Sequence, residues 1–72
     1  MKKIYVIMDT DDGRVEAIYD EFTIITEYEK YCDPFWGRKY WKNDISVYEW
    51  EMNTDIGDYI LPEDIEKLIT EK

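Results

Sequence analysis

The chain has no histidine, one cysteine, three glycines, two prolines and nine lysines and arginines in 72 residues. Each scarcity removes a class of chemistry. Without histidine, Cys32, Ser46 or a threonine lacks its usual activating base. A lone Cys32 cannot close an internal disulfide. Gly13, Gly37 and Gly57 are scattered and form no phosphate-cradling loop. No apolar run reaches the ~20 residues of a membrane span, and MKKIYVIMD is too short for a signal peptide. The expectation is therefore a cytoplasmic protein without cofactor or metal. It is not expected to be an enzyme, since acid–base work by Glu49 and Glu51 would need a water-excluding pocket that so short a chain has little room for.

What the chain does have is acid and aromatic surface. Eighteen Asp and Glu give a net charge of −9, and Tyr, Trp and Phe make up 17% of the residues. So many aromatics, each able to bury about 150–250 Å², mark a folded domain and not a disordered acidic tail. The length fits one domain, residues 1–72. The charge is segregated. Residues 9–33 and 44–72 each carry −7, while residues 34–43 carry +3 from Arg38, Lys39 and Lys42 with no acid.

The hydrophobic pattern predicts an α+β fold in the order β-β-α-β-α, a three-stranded antiparallel sheet with helices packed on one face. Lys3 to Asp9 reads as a strand that is apolar nearly throughout, as buried strands are. Asp11-Asp12-Gly13 makes a turn, and Arg14 to Tyr19 returns with Val15, Ala17 and Tyr19 on one side. Asp20 to Cys32 reads as a helix capped by Asp20, although Phe22 to Thr26 also suits a strand. Asp33-Pro34 ends it, and residues 34–43 form a loop. Asp44 to Met52 alternates cleanly, with Ser46, Tyr48, Trp50 and Met52 on one face and Ile45, Val47, Glu49 and Glu51 on the other. This strand is expected to pair with the first. Asn53 to Gly57 turns, and Pro62 opens a helix with Ile65, Leu68 and Ile69 as its apolar stripe and Lys67 and Lys72 at its negative end.

The start Lys3-Ile4-Tyr5-Val6-Ile7, the hairpin, the helix and the late strand Tyr48-Glu49-Trp50-Glu51 resemble small uncharacterised phage and prophage proteins of low-GC Gram-positive bacteria. The resemblance covers roughly residues 2–53 and implies a β-β-α-β core and a phage setting. It carries no functional residue across.

Two features stand out as candidate partner-binding sites. Asp11, Asp12, Glu49, Glu51, Asp55 and Asp58 are candidates for a phosphate-like field. Carboxylates at alternate strand positions lie about 6–7 Å apart, close to the phosphate spacing along a nucleic-acid strand. The aromatic and basic segment 35–42 offers Trp36, Arg38, Tyr40 and Trp41 as interface anchors. Equally, Trp36 and Trp41 can fold back over the small sheet, and the acids can serve solubility alone. Asp9-Thr10-Asp11-Asp12-Gly13 has the composition of a calcium loop but not its spacing, since Arg14 stands where glycine is required. The leading expectation is an acidic inhibitor that occludes a host nucleic-acid-handling or defence protein, without contacting nucleic acid or membrane. The alternative is an assembly module that dimerises or docks a subunit through residues 35–42. Sequestration of a small molecule in an aromatic pocket is a third reading.

Overall fold

The computed structural model describes residues 3–55 and 57–70. The chain forms β1 (Lys3–Asp9), β2 (Arg14–Asp20), α1 (Glu21–Glu27), β3 (Ile45–Glu51), β4 (Gly57–Ile60) and α2 (Pro62–Thr70). It is an α+β fold: one antiparallel sheet in the order β2-β1-β3-β4, with two α-helices. None of the described helices is long and apolar enough to cross a membrane.

The β1–β2 hairpin forms because Asp9 turns the chain locally. Its Oδ1 accepts the amides of Asp11 at 2.9 Å and Asp12 at 3.4 Å, and Gly13 takes a positive φ of 68°. β1 then pairs with β3 along its whole length, Lys3 opposite Glu51 and Asp9 opposite Ile45, as the pattern predicts. The sheet gains a fourth strand that the sequence reading lacks. β4 is four residues, GDYI, too short for an alternation to register, and it pairs Val47 with Ile60 through Trp50 with Gly57. It adds an edge to the expected three strands.

α1 is shorter than expected. Asp20 caps it by accepting the Thr23 amide at 2.8 Å, but the α-helix stops at Glu27. A single 3-10 turn, Tyr28–Tyr31, leads to Cys32. The β-branched run Thr23-Ile24-Ile25-Thr26 is a weak helix former. Helix and strand preferences thus compromise on two turns and a 3-10 exit, which carries Tyr28 into the core. α2 begins at Pro62 as expected. The Asp64 carboxylate reaches back to accept the Leu61 amide at 2.9 Å, so a donor that the helix leaves unpaired is satisfied. Ile65 is fully buried and Leu68 packs on the core, but Ile69 is exposed. The helix therefore seats a narrower stripe than the sequence implies. Lys72 lies outside the described residues.

The core lies between the helices and one face of the sheet. Tyr5, Ile7, Val47 and Ile60 come from the strands, Ile24, Tyr28 and Ile65 from the helical segments, and Cys32 and Trp41 from the connection between α1 and β3. That connection is a closed loop. Cys32 bridges Trp41, the Asp33 amide donates to Tyr40 O at 2.9 Å, and the Lys42 amide donates to Tyr31 O at 2.9 Å.

A bulge in the first hairpin shapes the opposite face. Up to Ile7, which pairs with Ala17, the register is regular; Met8 then pairs with Val15. Glu16 becomes the extra residue. Regular pairing would set Glu16 opposite Met8. The shift puts Val15 there and moves it to the face opposite Ala17 and Tyr19, not beside them as the alternation suggests.

Candidate binding surface

β1 and β3 alternate, so the face away from the helices receives Ile4, Val6 and Met8 from β1 and Ser46, Tyr48 and Trp50 from β3. β2 adds Ile18 opposite Val6 and, through the bulge, Val15 opposite Met8. β4 adds Tyr59 opposite Tyr48, the rings meeting edge to face with centroids 5.8 Å apart. No described helix covers these residues. Val15 and Tyr59 are exposed, as is Ile18 at 60%. Val6, Met8, Val15, Ile18, Tyr48 and Trp50 line a trough of about 450 Å³. Val6 and Met8 form its floor along β1, the aliphatic side chains of β2 one wall and the aromatic side chains of β3 the other. Trp50 is held by its neighbour across the strand pair: a Cβ at position 57 would overlap the indole ring, so only glycine lets the ring lie over β4 there.

A second groove, of about 590 Å³, adjoins this face. Tyr59 and Ser46 of the sheet line it together with Trp36, Tyr40, Trp41 and Ile45. Trp36 and Tyr40 pack edge to face, centroids 6.2 Å apart. An aromatic track thus runs from Trp50 through Tyr48 and Tyr59 to Trp36 and Tyr40.

The two tryptophans of the 35–42 segment part company. Trp36 is 63% exposed, with Phe35 beside it at 93%, while Trp41 is 6% exposed. The Trp41 indole Nε1 donates to the Ile60 carbonyl at 2.7 Å, pinning the loop to β4. Trp41 is therefore a core residue and Trp36 a surface one. Arg38 is engaged within the chain, 2.9 Å from Glu29 and 3.7 Å from Glu66. The Tyr28 hydroxyl and then Glu29 raise its pKa above the ordinary arginine value.

The six carboxylates proposed as a field do not form one row. Asp11 and Asp12 sit in the turn beyond the Asp9 end of β1; Glu51, Asp55 and Asp58 lie at the other end, about 20 Å away along a strand of this length. Glu49, Glu51 and Asp58 do converge, with Lys3, on a cleft of about 150 Å³. Glu49 there accepts from Lys3 Nζ at 3.3 Å and from the Tyr5 hydroxyl at 3.0 Å. Burial, and then this carboxylate, push the Tyr5 hydroxyl far above its ordinary pKa, so it stays a neutral donor.

At the turn, Asp9, Asp11 and Asp44 bring carboxylate oxygens within 4.8 Å of one another. Since Asp9 Oδ1 is committed to the turn amides, the cluster is accounted for by the turn. The thiol of Cys32 is buried, and its Sγ faces the Tyr28 carbonyl at 3.5 Å. Burial, reinforced by Glu29 and Glu66, pushes its pKa up to about 11. A neutral, enclosed thiol is a packing group and not a nucleophile.

The open face is the feature that a reading of motifs passes over, yet its signal is in the sequence. Ile4 to Met8 is apolar at every position, which suits a strand covered on both sides, while the helices suffice for one side only. A comparison with family models, curated proteins and solved structures finds no match for this chain.

Proposed function

We propose that this protein is a non-catalytic binding module that docks onto another protein through the open face of its sheet and acts by occlusion. The observation that carries the reading is the uncovered apolar trough of Val6, Met8, Val15, Ile18, Tyr48 and Trp50. An apolar surface of this kind on a small, highly charged domain marks an interaction site. Aromatic residues and methionine supply the adaptable, desolvated contacts that concentrate binding energy. The acids give the field: a chain at −9 steers toward basic surfaces and away from phosphates. Proteins that handle nucleic acid carry such basic surfaces, and the resemblance to small phage proteins sets this reading among host defence and replication factors. The partner is thus a protein and not nucleic acid.

A second reading rests on the groove between the 35–42 loop and β4. There Trp36 and Tyr40 anchor a subunit or a second copy, and the acids serve solubility. The two readings separate in a capture experiment from bacterial lysate at low and at about 0.5 M salt, where the Debye length shrinks to a few Å. The baits are the natural chain, Val15→Asp/Ile18→Asp, Trp36→Ala and Asp11→Lys/Asp12→Lys. Capture that is salt-sensitive and lost with the sheet-face variant, but kept with Trp36→Ala, supports the first reading. Salt-resistant capture lost only with Trp36→Ala overturns it in favour of the second.

A further inference from the structure

We infer that the occupant of the open sheet face is a basic amphipathic α-helix of the protein partner, laid along β1. This rests on the reading of that face as the docking surface and specifies what it takes. Three observations point to it. The face is a trough, not a plane, with a floor of Val6 and Met8 between the walls of β2 and β3. A helix is convex and fills a trough, whereas a second copy would set trough against trough and leave a void where contacts are lost. The helices of this chain cover only the other face of the sheet, so a partner helix supplies the missing layer. Apolar anchors at helical spacing would enter the trough, as in other helix-in-groove complexes.

Charge chooses the kind of helix. Exposed carboxylates stand beyond both ends of the trough, Asp11, Asp12 and Asp44 at the Asp9 end of β1 and Asp55 at the Lys3 end, while Glu51 alternates onto the other face beside Lys3. Lysines and arginines flanking the apolar stripe of a helix would meet these acids at either end. The seven residues of β1 span about 23 Å, so a helix of about 15 residues bridges the two acidic ends. A second copy, itself at −9, would bring acid to acid.

The test is an NMR titration of the full chain, uniformly labelled with ¹⁵N, against three synthetic peptides. The first is a basic amphipathic helix of about 15 residues. The second has the same apolar stripe with glutamates replacing the cations, and the third is a scrambled control. The inference expects the basic peptide to shift the amides of Val6, Met8, Ile18, Tyr48 and Trp50. It should bind at least about tenfold tighter than the acidic peptide, weaken in about 0.5 M salt and lose at least about tenfold in affinity with Ile18→Asp. Tight binding of the acidic peptide, shifts confined to residues 35–40, no binding, or concentration-dependent dimerisation of the free chain through this face would each overturn it. If the peptides fail while Val15→Asp/Ile18→Asp still abolishes capture of a whole partner, the helix assignment falls and the docking face stands. If neither peptide nor partner depends on these residues, both fall.

Discussion

Trp41→Ala and Trp36→Ala are expected to differ by about 3–5 kcal/mol in their effect on the stability of the domain. The sequence offers the two tryptophans as equals, five residues apart in one loop. The structure buries one to 6% and leaves the other 63% exposed. A tryptophan side chain buries about 150–250 Å². At about 25 cal/mol per Å² this is roughly 4–6 kcal/mol as an upper value, in line with the 3–5 kcal/mol or so lost on truncating a core aromatic. The hydrogen bond from Nε1 to the Ile60 carbonyl adds about 1 kcal/mol and ties the loop to β4. A domain of this size has about 4–11 kcal/mol in total, at ~0.05–0.15 kcal/mol per residue. Trp41→Ala therefore removes a large part of the folding free energy at 25 °C, and Trp41→Phe should lose less because its ring still fills most of the site. Trp36→Ala should stay within about 0.5 kcal/mol. Urea unfolding followed by far-UV circular dichroism reads all three. A loss below about 1 kcal/mol for Trp41→Ala, or above about 2 for Trp36→Ala, would refute the division of the loop into core and surface.

Three further outcomes follow from single contacts. Gly57→Ala should cost about 1–3 kcal/mol in urea unfolding, because its Cβ displaces the Trp50 indole; a neutral result would mean that the ring does not lie over β4. Cys32 should resist a thiol-specific disulfide reagent at about pH 8 until the chain is unfolded, and rapid native-state labelling would contradict its enclosure. Tyr5 holds its proton in the folded state far above the ordinary value of 10, chiefly through burial. The unfolded chain releases it near 10, so this stabilisation is complete below pH 10 and is lost as pH rises beyond it, at about 1.4 kcal/mol per pH unit. Urea midpoints measured between about pH 9 and 11 should show this decline on top of that from the raised Cys32 and Tyr31 groups, and Tyr5→Phe should make it shallower without abolishing it.

The strands were legible where one physical signal dominated. β1 and β3 follow from their runs and alternation, and their pairing follows because two strands alone would be marginal. The caps at Asp20 and Pro62 follow from side-chain chemistry. β4 was not legible, because four residues between a turn and Pro62 give no period. Nor was the end of α1, where local preferences oppose each other. The bulge at Glu16 could not be read either, since register depends on partners distant in sequence. For the same reason the acids looked like one field, although pairing sends Asp11 and Asp12 to one end of the sheet and Glu51 and Asp58 to the other. The open face was half visible. Tyr48 and Trp50 share a face on alternation alone, but that Val15 joins Ile18 beside them is decided by the bulge.

The central claim is that the open sheet face is where a partner sits, and site-specific photo-crosslinking in bacterial cells tests it most directly. A photoreactive side chain replaces Ile18 in one variant and Phe35, 93% exposed on the neighbouring loop, in another. The account predicts a covalent adduct with a second, basic protein from position 18 and none from position 35. An adduct from position 35 alone, or a crosslink from position 18 to another copy of the same chain, would contradict it.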